Sequence, residues 1–154
     1  MKPKRIVIDA RLSGLEHAGI GRYTQMLIEH LGEQRTVNYE LRTINPPIRH
    51  YTLREQLEMP KELDRERPNL VHFPHFNVPL LYNKPFVVTI HDLLWHEQVG
   101  MNVTTLPAWL YGLKYVGYRL VLRHAITASK AIIVPSQWVS KKIIDRFPSV
   151  KNKI

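Results

Sequence analysis

The stretch Ile6–Leu31, "IVIDARLSGLEHAGIGRYTQMLIEHL", decides the fold. Its first residues are apolar without alternation, as in a strand buried on both faces. From Ile20 to Gly32 the spacing becomes helical, with Tyr23, Leu27 and Leu31 on one stripe and Ile20 and Ile28 beside it. A strand that feeds a glycine-marked helix opens many open-sheet α/β folds. The spacing excludes a dinucleotide fingerprint, however, because nine residues separate Asp9 from Gly19 and Thr24 stands where a third glycine would be. What remains is local physics. The amides of Gly19 to Arg22 open a helix and carry partial positive charge, and Gly19 has no side chain to hold an anion away. A second reading is that Gly19 and Gly21 only let the backbone turn into the helix.

Further along, β-branched segments alternate with helical patterns. "RIVID" (5–9), "YELRTI" (39–44), "LVHF" (70–73), "PFVVTI" (85–90) and "AIIVP" (131–135) read as strands, and helices are predicted over 20–32, 53–65, 107–130 and 137–146. Ser136 is placed to cap the last of these. Such alternation predicts an α/β domain, a Rossmann-like doubly wound and mostly parallel sheet with helices on both faces. After "FPSV" the chain reads "KNKI", which is expected to begin another strand and suggests a piece of a longer protein.

The 154 residues suit one domain, and 44% hydrophobic content is enough for a single core. With no cysteine there is neither a disulfide framework nor a thiolate metal site, and the cytosol is the simplest setting. No apolar run approaches the ~18 residues that span a bilayer. The net charge is +9, and no acidic residue lies between Glu97 and Asp145, where Lys114, Arg119, Arg123, Lys130, Lys141 and Lys142 all fall. That block suits an anionic partner such as nucleic acid, a membrane face or a phosphate-bearing substrate, or else forms a solvated basic face.

Two strand ends carry histidine. His72 and His75 are expected just beyond the third strand, and His91 and Asp92 just beyond the fourth. Ligands of an open parallel sheet bind outside the carboxyl ends of its strands, so these side chains are expected over a crevice and not in the core. Together with His96 they also admit a metal-site reading, but the spacing holds no helical His-x-x-x-His. No metal or organic cofactor is expected. On the long helix, Trp109, Leu113, Val116 and Leu120 share one arc, which is expected to face the core. Tyr111, Tyr115 and Tyr118 form a second arc and Arg119, Arg123 and Lys130 a third. Exposed, the latter two would suit lipid headgroups; alternatively, the tyrosines cover a neighbouring element.

Taken together, "AGIGRYTQML", "VHFPHFNVPL", "VVTIHDLLW" and "AIIVPSQWVSKKII" resemble the N-terminal half of family-4 glycosyltransferases, retaining enzymes of GT-B architecture. The likeness covers nearly the whole chain. It implies that residues 1–154 form the N-terminal, acceptor-side domain, facing a second Rossmann-like lobe across a cleft that holds a nucleotide-sugar donor. Gly19 matches the glycine whose amide approaches the donor phosphates, and Gly21 and Arg22 open the helix behind it. His91 matches the histidine beside the reacting sugar, where it would orient a hydroxyl and help stabilise an oxocarbenium-like transition state. Asp92 would fix its loop. His72, His75 and Asn77 would line the acceptor side, and Ser136 matches the serine that starts the helix after the last core strand.

The resemblance also implies what this domain leaves to another. In the family the nucleotide, most of the phosphate charge and a paired-glutamate motif belong to the C-terminal domain, so the N-terminal domain alone is expected to be inactive. Glu58 and Glu66 share that motif's spacing, but they sit in a charged segment interrupted by Pro60. The implied partners are a nucleotide sugar, a sugar, glycan or lipid-linked acceptor and the C-terminal domain; the basic block and the arcs of the long helix add an anionic membrane surface, which would make the protein peripheral. Two other classes stay open: a nucleotide- or nucleic-acid-binding module, for which no recognition signature is present, and a metal-dependent hydrolase built on the histidines.

Overall fold

A computed structural model describes residues 3–33, 38–93 and 108–154. Five strands, β1 (Lys4–Asp9), β2 (Tyr39–Ile44), β3 (Leu70–Phe73), β4 (Phe86–Thr89) and β5 (Ala131–Ile133), form one sheet in the order β2-β1-β3-β4-β5. Every pairing is parallel. Four α-helices accompany them among the described residues: α1 (Ala18–Glu33), α2 (Leu53–Arg65), α3 (Ala108–Ala128) and α4 (Gln137–Arg146). The Rossmann-like α/β class expected from the alternation is the one observed.

The register divides the sheet into two faces. Val7 pairs with Val71, Phe73 with Val88 and Val88 with Ile132, so these side chains share one side. They join Met59 and Leu63 of α2, Leu122, Ala125 and Ile126 of α3, and Val139 and Ile143 of α4 in the main core. Between β3 and β4 no helix intervenes. Phe76, Val78 and Tyr82 fill the place a crossover helix would cover, all three buried. On the other side, Ile8, His72 and Thr89 lie under α1, which buries Gly21 and Thr24 against them.

Local chemistry explains the helix starts. Thr52 caps α2 by accepting the Glu55 amide at 3.1 Å, while the Glu55 carboxylate reaches back to the Tyr51 amide at 2.8 Å. This is a capping-box exchange shifted by one residue. Ser136 caps α4 by accepting the Val139 amide at 3.3 Å. The start of α1 is held differently. The loop after β1 passes through Gly14 at φ 124° and lays its carbonyl on the helix, where a Cβ at Gly21 would stand 1.9 Å from the Gly14 oxygen. Gly21 is thus required by close approach; at Gly19 an added Cβ would meet nothing within 4 Å.

Three expectations need correction. Residues Pro148–Lys153 form a 3-10 helix and not the start of a strand, because Pro148 sets a helical φ and the Val150 side chain turns into the core. His72 is not beyond β3 but within it, buried beneath α1. On α3 the arcs are exchanged: Leu113, Val116 and Leu120 are 65%, 53% and 52% exposed, whereas Tyr118 packs edge-on against Phe76 at 5.2 Å between centroids. The helix turns its Tyr118, Leu122 and Ala125 side to the core because Phe76 offers an aromatic partner there. His96 and the side chains of Trp109 and Tyr111 fall outside the described residues.

Candidate functional site

Sheet topology locates the crevice. From β1 the chain moves outward to β2, then returns across β1 to β3, so the loops that leave β1 and β3 diverge at the carboxyl end of the sheet. That divergence is the switch point at which open α/β sheets bind ligands. A cavity of about 200 Å³ lies there, lined by Leu12, His17, Ile20, His50, Tyr51 and His75. The β1–α1 loop, the start of α1, the β2–α2 connection and the segment after β3 each contribute.

Beneath this cavity is a charged cluster. Asp9, at the end of β1, accepts from Arg11 Nε at 2.9 Å and from Arg11 Nη2 at 2.7 Å. Arg11 Nη1 reaches Glu55 Oε1 at 2.8 Å, and Asn77 Nδ2 donates to the same oxygen, also at 2.8 Å. All four residues are buried. Burial works against the Arg11 charge, but the fork bonded to Asp9, together with the charges of Asp9 and Glu55, outweighs it and raises the guanidinium above its ordinary value. The cluster ties the loop after β1 to α2 and to the loop after β3. Asn77 therefore lies in this support and is not among the residues that line the cavity, because its side-chain amide is turned to Glu55.

Beside the cavity a second network runs under α1. Thr89 Oγ1 is 2.9 Å from His72 Nε2 and 3.0 Å from the Tyr23 hydroxyl. Burial, with a smaller contribution from His91, holds His72 down to about pKa 4. The imidazole is neutral at pH 7, and the Thr89 hydroxyl links it to Tyr23 by donating to one of the two and accepting from the other. His72 is thus a support beneath the rim, not a group over the crevice.

His91 follows β4 on the same rim. Its Nε2 lies 2.8 Å from the Pro74 carbonyl oxygen, which can only accept, so Nε2 carries the proton. In the neutral ring Nδ1 is then the acceptor. Tyr23, one turn into α1 from Gly19, meets the His91 ring edge-on with 4.9 Å between centroids. His75 is the complement: the Asn77 amide donates to its Nδ1 at 3.4 Å, leaving Nε2–H as donor. Burial first, then His91 and His50, keeps His75 at about pKa 4. His50 is lowered too, by burial and then by Arg11.

The remaining expected residues have plain placements. Gly19 and Arg22 are exposed at the start of α1, Gly21 is buried under Gly14, Asp92 is exposed after His91, and Ser136 is an exposed cap. Glu58 is paired with Arg54 on the surface of α2 at 2.7 Å. Among the described residues no group of three or more His, Asp or Glu side chains could hold a metal ion. No helix among them is long and apolar enough to cross a membrane. Sequence reasoning missed Arg11, His50, Tyr51, Glu55 and Thr89. The Thr52-x-x-Glu55 box and the Asp9-x-Arg11 pair at a strand end were the readable signals for two of them.

No curated protein matches the chain. The family model for Glycosyltransferase Family 4 matches residues 33–154, a span that holds His50, Tyr51, Glu55, His75 and His91 and leaves the Gly19–Arg22 helix start outside it. A parallel five-stranded sheet with its cavity at the switch point agrees with that match, and the chain belongs to glycosyltransferase family 4.

Proposed function

We propose that this domain is the acceptor-side half of a retaining glycosyltransferase that takes its sugar from a nucleotide-sugar donor held chiefly by a second lobe. The observation that carries this reading is the contact between Tyr23 and His91, because it joins the helix opened by Gly19 to the histidine after β4 along one rim. In this reading the exposed amides at the start of α1 face the donor diphosphate. His91 accepts from a hydroxyl of the transferred sugar through Nδ1, and its fixed tautomer orients that sugar as positive charge develops at the anomeric carbon. His75 and His50, across the cavity, hold the acceptor. The leaving diphosphate is stabilised mainly by the second lobe, so the domain by itself turns over little. The exposed Leu113, Val116 and Leu120 on α3, with Lys114, Arg119 and Arg123 on the same helix, support a position against an anionic membrane face.

The test is product stereochemistry and rate in the complete natural protein. Incubated with a panel of nucleotide sugars, it should release nucleoside diphosphate and form a product whose anomeric configuration, read by NMR, is that of the donor. His91→Ala should reduce turnover by at least a hundredfold while the fold persists by circular dichroism. Inverted product would refute the retaining assignment, and a wild-type rate in the variant would remove His91 from the chemistry.

A further inference from the structure

The cavity continues into an exposed apolar strip. Tyr51 lines the cavity, and its own side chain is 65% exposed. Two residues on, Leu53 opens α2 at 84% exposure, and Leu57 stands one turn further on the same face at 58%. The Leu80 amide donates to the Gln56 side chain at 2.7 Å, which brings the exposed Leu80–Leu81 turn against the same helix. Exposed leucines scattered singly need no explanation, but these lead away from one cavity in sequence and in space.

The cavity itself has a definite chemistry. Among the described residues no lysine or arginine lines it. Directly beneath, two carboxylates against one guanidinium leave a net negative charge at Asp9, Arg11 and Glu55. Burial opposes the protonation of both His50 and His75, which favours the uncharged rings. Neutral imidazoles both donate and accept, as hydroxyl groups do, and Leu12 and Ile20 offer apolar surface for a ring face. At about 200 Å³ the space is smaller than the ~300–1,000 Å³ of drug-sized sites, which suits a single sugar ring.

We infer that the acceptor is an amphiphile with an uncharged, hydroxylated sugar head seated among His50, Tyr51 and His75, and an aliphatic tail laid along Tyr51, Leu53, Leu57 and Leu80. This rests on the acceptor-side reading given above. A phosphorylated head would meet the buried negative charge with no lysine or arginine among the described lining residues to answer it. A purely soluble sugar would leave the leucine strip without an occupant, whereas burying two methylenes there gains about tenfold in affinity.

The experiment titrates the 154-residue chain with monomeric octyl β-glucoside, methyl β-glucoside and octyl phosphate, following backbone amides by NMR. Octyl β-glucoside should bind at least tenfold more tightly than methyl β-glucoside, and it should shift His50, Tyr51 and His75 together with Leu53, Leu57 and Leu80. Octyl phosphate should leave His50 and His75 unshifted. Leu53→Ser with Leu57→Ser, both at exposed positions, should bring octyl β-glucoside down to the affinity of methyl β-glucoside and leave the latter unchanged. Equal binding of octyl phosphate in the cavity, shifts confined to α3, self-association through the strip, or indifference to the leucine substitutions would each overturn the inference. Nucleotide-sugar consumption by the complete protein is scored separately. If it persists with soluble acceptors while the strip has no effect, the transferase reading stands and the amphiphile falls; if no nucleotide sugar is consumed with any acceptor, the transferase reading itself fails.

Discussion

Tyr23 and His91 meet at 82° between ring planes, and the tyrosine hydroxyl continues to Thr89 at 3.0 Å. One residue on α1 thus braces both the end of β4 and the histidine that follows it. An edge-to-face aromatic contact contributes about 0.5–1.5 kcal/mol, and the hydroxyl bond about 1 kcal/mol more. Tyr23→Phe should keep the ring contact and cost about 1 kcal/mol in stability with a modest change in turnover. Tyr23→Ala should also free the His91 ring and lower kcat by more than tenfold with little change in the KM for acceptor. Urea denaturation and steady-state kinetics on the pair of variants separate the two roles. Equal turnover in Phe and Ala variants would show that the ring does not position His91.

The two glycines of the α1 start should separate by experiment. A Cβ at position 21 would lie 1.9 Å from the Gly14 carbonyl oxygen, backbone that cannot rotate away. Gly21→Ala should therefore cost about 1–3 kcal/mol, visible as a lower Tm. Gly19→Ala meets nothing and replaces glycine by a better helix former, so it should leave stability unchanged or raise it by up to about 1 kcal/mol. Under the proposed function the same methyl would stand in front of the amides that face the donor, and in the two-lobed protein it should raise the donor KM. A lowered Tm for Gly19→Ala would mean that the position is structural after all.

The outline of this domain was legible because β1, β4 and β5 carry short apolar runs without alternation, and because Ser136 stands where a helix cap must. The face that α3 buries was not legible. Its leucine arc and its tyrosine arc are comparably apolar, and the choice between them is made by Phe76, which lies in another segment of the chain. His72 was read as lying beyond a strand whose expected span, 70–73, already contained it, and inside a strand its side chain turns to the interior beneath α1. Arg11 and Glu55 escaped notice because their pairing joins loops far apart in sequence; each alone looks like an ordinary surface charge.

Buried histidines make stability depend on pH in a stated direction. Above their ordinary value of 6.5, His72 and His75 are neutral in both the folded and unfolded chain and contribute no difference. As pH falls below 6.5 the unfolded chain takes up protons that the folded one refuses until about pH 4, so stability falls through that window. The full shift at His72 corresponds to about 3 kcal/mol at the acid limit, with a smaller effect at the less buried His75. Urea midpoints should be flat from pH 8 to 7 and decline from 6.5 to 4. His72→Gln, which retains a donor for Thr89, should be less stable at pH 7 yet show a shallower decline; an unchanged slope would mean that His72 does not titrate as its burial requires.

The Arg11 cluster gives the sharpest test of how the cavity floor is held. A buried ion pair adds little net stability against apolar residues of equal volume, but removing one partner strands the others. Arg11→Met leaves Asp9 and Glu55 both buried and uncompensated, and should cost about 3–5 kcal/mol. Glu55→Gln keeps an oxygen for Asn77 and Arg11 while removing a charge, and should cost about 1–2 kcal/mol. Since Arg11 bonds Glu55 directly, the double variant should lose less than the two losses added, by about 1–3 kcal/mol in a double-mutant cycle. The functional consequence follows from the Tyr51 amide, which Glu55 also holds. Glu55→Gln should raise the acceptor KM and leave the donor KM unchanged, because what loosens is the β2–α2 side of the cavity and not the start of α1. If both constants rise together, the cluster supports the whole rim; if neither moves, its role ends at the fold.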